Sequence, residues 1–213
     1  QIEHIIIDGA SKDNTLAMAQ AYSLKNQEEE IEHEVVIISE PDRGLYDAMN
    51  KGLARATGDY IVYLNAGDVF PSDQTLEQIS IEVNNRSDGK LPAVLYGDTD
   101  IVAMDGRFLP HRRMSPPKRL TWRSFRNGML VCHQAFYART DLARAARYDQ
   151  QYRFSADFDW CIRLMRDGAK QHLSNVHTHE VLADYLNEGM TLRNHKASLK
   201  ERFHIMCRHY GVV

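Results

Sequence analysis

Apolar and polar positions fall in blocks along this chain, and the blocks predict strands followed by helices. Ile5, Ile6 and Ile7 form a short β-branched run suited to a strand buried on both faces. It ends in Asp8-Gly9-Ala10, and Ser11 is placed to cap a helix with Asp13 in its first turn. Ala17, Ala21 and Leu24, at i, i+4 and i+7, give that helix a packing stripe. Residues 35–39 predict a second strand, ending at Glu40. In the next helix Leu45, Ala48, Met49 and Leu53 form the core stripe, while Tyr46 and Asn50 share another face with Asp47 beside them. A third apolar strand over 60–64 runs into Asn65-Ala66-Gly67-Asp68. Residues 73–86 predict a helix, and 93–96 a fourth strand ending in Gly97-Asp98. This alternation with short connections implies a parallel sheet wrapped by helices, an α/β fold.

The second half is less regular. Residues 99–109, turning at Asp105-Gly106, read as a hairpin. Pro116-Pro117 are placed to start a helix holding Leu120, Trp122 and Phe125, and 131–138 predict a strand carrying His133 and Gln134. Ser155 is placed to cap a helix whose stripe is Phe158, Cys161, Ile162 and Met165, stopped by Gly168. A late strand over 176–186 and a helix over 196–209 complete the series. No repeat or linker interrupts it, so residues 1–213 read as one domain.

Composition narrows the classes of function. The chain has 213 residues, 43% apolar and 26% charged, as in ordinary globular proteins. Its net charge of −3 gives no whole-protein case for a nucleic-acid partner or a membrane surface. The acidic run of Glu28, Glu29, Glu30, Glu32 and Glu34 reads as a solvated loop. Cys132, Cys161 and Cys207 lack a CxxC spacing and read as reduced thiols of a cytoplasmic protein. No apolar run approaches the ~20 residues of a membrane span, and no signal peptide is visible. The chain opens on an apparent internal strand, so the natural protein is expected to begin upstream of Gln1.

Asp8, Glu40, Asp68 and Asp98 each stand at or just past the end of a predicted strand, where open α/β sheets bind ligands. On a parallel sheet these carboxylates would gather along one edge. Clustered carboxylates repel unless a cation neutralises them, and hard oxygen ligands suit Mg²⁺ or Mn²⁺, which commonly bridge to a substrate phosphate. The competing reading is that such acids cap helices. Asp157, in a first helical turn and off the core stripe, can face a cleft. Asp159, four residues before Arg163, reads as an ordinary surface ion pair. His177 and His179 would share a strand face without an evident third ligand. His133 fits a core or a cleft position. Between 107 and 126 stand seven Lys or Arg and no acid, a run that can meet phosphate or form a solvated helix face.

Several stretches together resemble the family 2 inverting glycosyltransferases of the GT-A fold. IIIDGASKDNT at 5–15 is similar to that family's strand and turn. EPDRGLYDAMNKGLARATGDYIVYLNAGD at 40–68 resembles its bacterial polysaccharide-assembly members, including those of colanic-acid type, and HQAFY at 133–137 and SADFDW at 155–160 continue the likeness. The resemblance implies a nucleotide-binding half over about 1–98, an acceptor and catalytic half over about 99–190, and a missing strand and helix ahead of Gln1. It implies an inverting, metal-dependent transferase moving a sugar from a nucleotide-diphosphate donor to a glycan or lipid-linked glycan. Asp157 would be the catalytic base and Asp68 the ligand of Mg²⁺ or Mn²⁺. Asp8, Glu40, Asp42, Arg43, Asp47, Asn50 and Asn65 would face the donor, and Asp98, His133 and Gln134 the acceptor side. A cytoplasmic protein at the inner face of the membrane, touching it peripherally through the basic run, fits the same likeness. The chain departs from the family pattern in carrying Asn65 or Gly67 for the first Asp of the metal motif, Gly9 for a base-reading Asp, and Ala156 for a Glu. Other readings are a non-catalytic sugar-nucleotide or glycan-binding module and a sugar nucleotidyltransferase. The latter would want a Gly-rich phosphate loop, and neither GxGxxG nor GxxxxGK occurs in the chain.

Overall fold

A computed structural model describes residues 1–29, 33–86, 89–110, 112, 114–186 and 194–211. The chain opens with strand β1 (Ile2–Asp8), helix α1 (Thr15–Glu28), strand β2 (His33–Ser39) and helix α2 (Leu45–Arg55). β1 and β2 pair in parallel from Ile2 against His33 to Asp8 against Ser39, so both strands end at one edge. Part of the acidic run, Glu30 to Glu32, lies outside the described residues. Strand β3 (Tyr60–Ile61) and helix α3 (Thr75–Asn84) lead to the long strand β4 (Val94–Val102). Strand β5 (Phe136–Arg139), helices α4 (Thr140–Ala146) and α5 (Ala156–Lys170), strand β6 (Asn175–Leu186) and helix α6 (His195–Tyr210) follow.

The second sheet runs β3-β5-β4-β6. β4 and β6 are parallel, whereas β5 is antiparallel to both β3 and β4, so the sheet is mixed. Residues 93–97 are buried, as expected of a central strand crossed by helices on either side. α5 carries the predicted stripe: Phe158, Cys161, Ile162 and Met165 are buried, joined by Trp160 and Leu164. A column of rings ties α5 to α2. Tyr46 stacks on Tyr148 with centroids 5.4 Å apart, and Tyr148 on Trp160 at 4.8 Å. Each such pair contributes about 0.5–1.5 kcal/mol beyond area burial, and the column fixes the first turns of α2 and α5 side by side.

Several expectations are corrected. α1 begins at Thr15, where Asp13 accepts from the Thr15 amide and hydroxyl, so Ser11 is no cap. Its buried positions are Ala19 and Asn26, while Leu24 is exposed. The buried Asn26 donates to the His33 carbonyl at 2.9 Å, tying the helix to β2. The third strand keeps ladder pairing only at Tyr60 and Ile61. The predicted helix after Pro117 is a 3₁₀ turn over Trp122–Asn127, held by a capping box of Thr121 and Ser124. The predicted strand over 131–138 is a 3₁₀ turn, His133–Ala135, followed by β5. The hairpin after β4 forms as expected, with Val102 bridging Phe108 across the Asp105-Gly106 turn. Asp98 lies inside β4 rather than at its end, and Val181 pairs with it.

Candidate functional site

Asp157 stands in the first turn of α5, where the helix dipole favours a negative charge. Its side chain is 15% exposed. The Tyr46 hydroxyl donates to Oδ1 at 3.0 Å, and His133 Nδ1 lies 3.6 Å from Oδ2. Burial works to raise the Asp157 pKa, but His133, the Arg202 charge and Tyr46 outweigh it and hold the carboxyl below its ordinary value. Asp157 is therefore ionised at neutral pH and able to accept a proton. Burial and the Asp157 charge push the Tyr46 phenol well up, so it stays protonated as a donor. Burial raises the Cys132 and Cys161 thiols, which leaves neither as a ready nucleophile.

The 3₁₀ turn joins Asp157 to the loop after β3. His133 Nε2 lies 3.3 Å from the Asn65 amide nitrogen. An amide N–H donated there leaves the imidazole proton on Nδ1, facing Asp157. Next in sequence, Gln134 Nε2 donates to Asp68 Oδ2 at 2.7 Å. The Asn65 backbone N–H reaches the same oxygen at 3.2 Å, and the Leu186 N–H reaches Oδ1 at 3.1 Å. Asp157, His133, Asn65, Gln134 and Asp68 thus form one connected string at the carboxyl end of β6. Gly67, at φ +95°, lets the loop turn, and a Cβ there would lie 2.6 Å from Leu186 Cδ2.

A second group gathers at the ends of β1 and β2. Asp8 is held below its usual pKa by hydrogen bonds from Ser11 and from Ser39, whose hydroxyl donates at 2.6 Å. The Glu40 amide donates to the Asp8 carbonyl, and the Glu40 carboxylate pairs with Lys51 of α2 at 3.0 Å. Asp42 accepts from the Gly44 amide, forming the turn that opens α2. A Cβ on Gly9 would stand 2.4 Å from Asp42 Oδ2, so these two loops touch. Asp47 accepts from the Arg43 amide at 3.0 Å and from Gln150 at 2.8 Å, and these contacts lower its pKa. α2 connects the two groups, through Lys51 on one side and Tyr46 on the other.

Not every candidate joins them. Asn50 is a clip: its amide donates to the Tyr148 carbonyl and its oxygen accepts the Tyr148 N–H, both at 2.9 Å. Asp98 acts on His177 instead, whose Nδ1 lies 2.9 Å from that of His179. Asp159 is no surface pair: it is fully buried, held by Arg163 at 2.6 Å and His209 at 2.7 Å. Nor do the strand-end acids converge on one point. Among the described residues no group of three or more His, Cys, Asp or Glu is placed to hold a metal ion. Of the strand-end acids, Asp68 is the one expected to hold such an ion. A carboxylate has about four lone-pair sites, protein donors occupy three here, and Mg²⁺ characteristically takes one or two carboxylates plus substrate phosphates and water. Tyr46 is the partner that sequence reasoning missed. Its first-turn position on α2 was the available signal, but the bond to a residue 111 positions away appears only in three dimensions.

The profile of "Glycosyl transferase family 2" matches residues 1–144. The chain belongs to glycosyl transferase family 2. A protein from Mycobacterium bovis (strain BCG / Pasteur 1173P2), named "PGL/p-HBAD biosynthesis glycosyltransferase", is 31% identical over 188 residues, covering 88% of this chain and 66% of that protein. The "Amylovoran biosynthesis glycosyltransferase AmsB" of Erwinia amylovora is 27% identical over 152 residues, covering 67% of this chain and 50% of that one. The chain thus spans about two thirds or less of these relatives' lengths. The crystal structure of S. aureus TarS 1-349 in complex with UDP-GlcNAc superposes with a TM-score of 0.65 at 15% identity, covering 96% of this chain and 55% of that one. The architecture is the GT-A fold that the sequence resemblance implies. Among the described residues, no helix of this family 2 chain is long and apolar enough to cross a membrane.

Proposed function

We propose that the chain transfers a sugar from a nucleotide-diphosphate donor to a hydroxyl of a glycan or lipid-linked glycan, with inversion, on the cytoplasmic side. The observation that carries this reading is the half-buried, ionised Asp157 linked through His133 and Gln134 to the Asp68 loop. Asp157 would take the acceptor proton as that oxygen attacks the anomeric carbon, a general-base role worth about 10²–10⁴ in rate. Displacement in a single step inverts the anomeric centre. Tyr46 and His133 keep the base oriented and charged. Asp68 would hold Mg²⁺ or Mn²⁺ against the diphosphate, and that ion would supply charge neutralisation for the leaving group. The Asp8, Asp42 and Asp47 turns would line the nucleoside side. The names of the relatives support a place in glycoconjugate or surface-polysaccharide biosynthesis.

A panel of UDP, GDP, CDP and dTDP, with Mg²⁺ or Mn²⁺, tests the donor site by thermal shift. One nucleotide should stabilise the protein in a metal-dependent manner, and Asp68→Asn should remove that shift. Asp157→Asn should keep the shift but lower release of nucleoside diphosphate from the matching nucleotide sugar by about 100-fold or more. A fully active Asp157→Asn variant would sink the base assignment. The engaged oxygens of Asp68 and the scattered acids favour, as a second reading, a module that binds a sugar nucleotide without turnover. Binding with no turnover in the unaltered chain would select it.

A further inference from the structure

The exposed face of α6 has no place in the proposed reaction. At about 3.6 residues per turn, Ser198 and Ile205 fall on the buried side, against α5. Leu199 and Phe203, i and i+4, fall on the outward side, 50% and 61% exposed. Lys196, Lys200 and His204 run beside them in a parallel row, all exposed. The acid of this helix between Lys196 and His209, Glu201, is turned back, accepting the Arg153 and Phe154 amides at 2.9 and 2.8 Å. Arg208, a turn further on, is paired with Asp149. The outward face is therefore apolar along one flank and cationic along the other.

We infer that this face docks on an anionic lipid surface. A helix lying in the plane of a membrane presents this arrangement: apolar side chains enter the acyl boundary while flanking lysines meet headgroup phosphates. Charge complementarity chooses the lipid over an apolar groove in another protein, which would leave Lys196 and Lys200 desolvated without partners. α6 is also tied to the start of the helix that carries Asp157. Ser198, on the first turn of α6, lies 2.9 Å from Ser155 between hydroxyl oxygens, two residues before Asp157. The inference does not depend on which donor is used, and the basic run of 107–126 is not needed for it. That run starts in the hairpin at one end of β4, and by Leu120, whose amide meets the Tyr96 hydroxyl, it has reached the other end.

Co-sedimentation with vesicles tests the inference. The chain should pellet with vesicles of phosphatidylcholine and phosphatidylglycerol in equal parts, and should stay in solution with phosphatidylcholine alone. Lys196→Glu combined with Lys200→Glu should reduce the bound fraction at least fivefold, as should Leu199→Ser combined with Phe203→Ser. All four positions are exposed, and circular dichroism and thermal melts confirm that each variant is folded. No binding to the anionic vesicles, or binding that both double variants leave unchanged, would overturn the inference. So would a concentration-dependent dimer abolished by Phe203→Ser, since α6 would then join two copies of the chain.

Discussion

Asp159 and Asp157 are two residues apart on α5, yet they meet different surroundings. Asp157 meets the Tyr46 hydroxyl and the His133 imidazole, with no guanidinium bonded to it, which leaves its charge available. Asp159 is buried between the Arg163 guanidinium and the His209 ring. Burial acts to raise the Asp159 pKa, but His209 and Arg163 prevail and hold it below the ordinary value. A carboxyl whose folded pKa is depressed contributes stability that is complete above its unfolded value, and that is lost as pH falls through the folded one. The chain should accordingly lose stability in acid, below the usual aspartate range, and Asp159→Asn should flatten that dependence. Asp159→Ala should lower unfolding free energy by about 3–5 kcal/mol in urea titrations, because Arg163 is left without its counter-charge. A loss below about 1 kcal/mol would mean a solvated pair instead. The four-residue spacing of Asp159 and Arg163 was legible in the sequence. Its burial was not, because the covering residue, His209, comes from α6.

At the scale of elements, close approaches explain why certain positions carry glycine. A Cβ on Gly97 of β4 would stand 2.4 Å from the Glu180 carbonyl oxygen and 2.7 Å from Leu182 Cγ. Backbone on the neighbouring strand cannot move aside, so Gly97→Ala should cost about 1–3 kcal/mol by chemical denaturation. At Gly52, within α2, a Cβ would meet only Ile7 Cγ1 at an ordinary 3.5 Å. Gly52→Ala should instead gain up to about 1 kcal/mol in helix propensity; equal effects at the two glycines would refute the argument. Elements with strong periodicity were readable from sequence. The β-branched run of β1 and the stripe of α5 both identify themselves. α1 was misread because its alanines give no strong contrast between faces, and the strand expected at His133 because its apolar neighbours suit a buried turn equally well.

Across the whole molecule, stability is unevenly distributed. The β1–β2 ribbon and the four-stranded sheet are separate hydrogen-bonded units among the described residues. The ribbon is tied on by α2 packing and by the Glu3 carboxylate, which accepts from the Thr57 amide at 2.7 Å and the Gly58 amide at 3.1 Å. The other sheet shares the aromatic core of Phe136, Phe158 and Trp160. Units with fewer buried apolar contacts open at lower free energy. Hydrogen exchange should therefore reach the amides of β1 and β2 well before those of β4 and β5, and a nucleotide bound at Asp8 should narrow the gap. Uniform protection before any ligand is added would show that the molecule opens as one unit.

The contact of Gly9 with Asp42 bears on how relatives diverge. The two loops divide one small volume, so an acidic side chain at position 9 would crowd the Asp42 carboxylate and force it to turn away. Gly9→Asp alone should be destabilising, and Asp42→Gly should largely restore it, a coupling within the 0.5–3 kcal/mol range of touching residues. Two descendants could thus keep one negative charge in this volume while carrying it on different loops, and residue-by-residue comparison of either position would record a loss where the chemistry had only changed address.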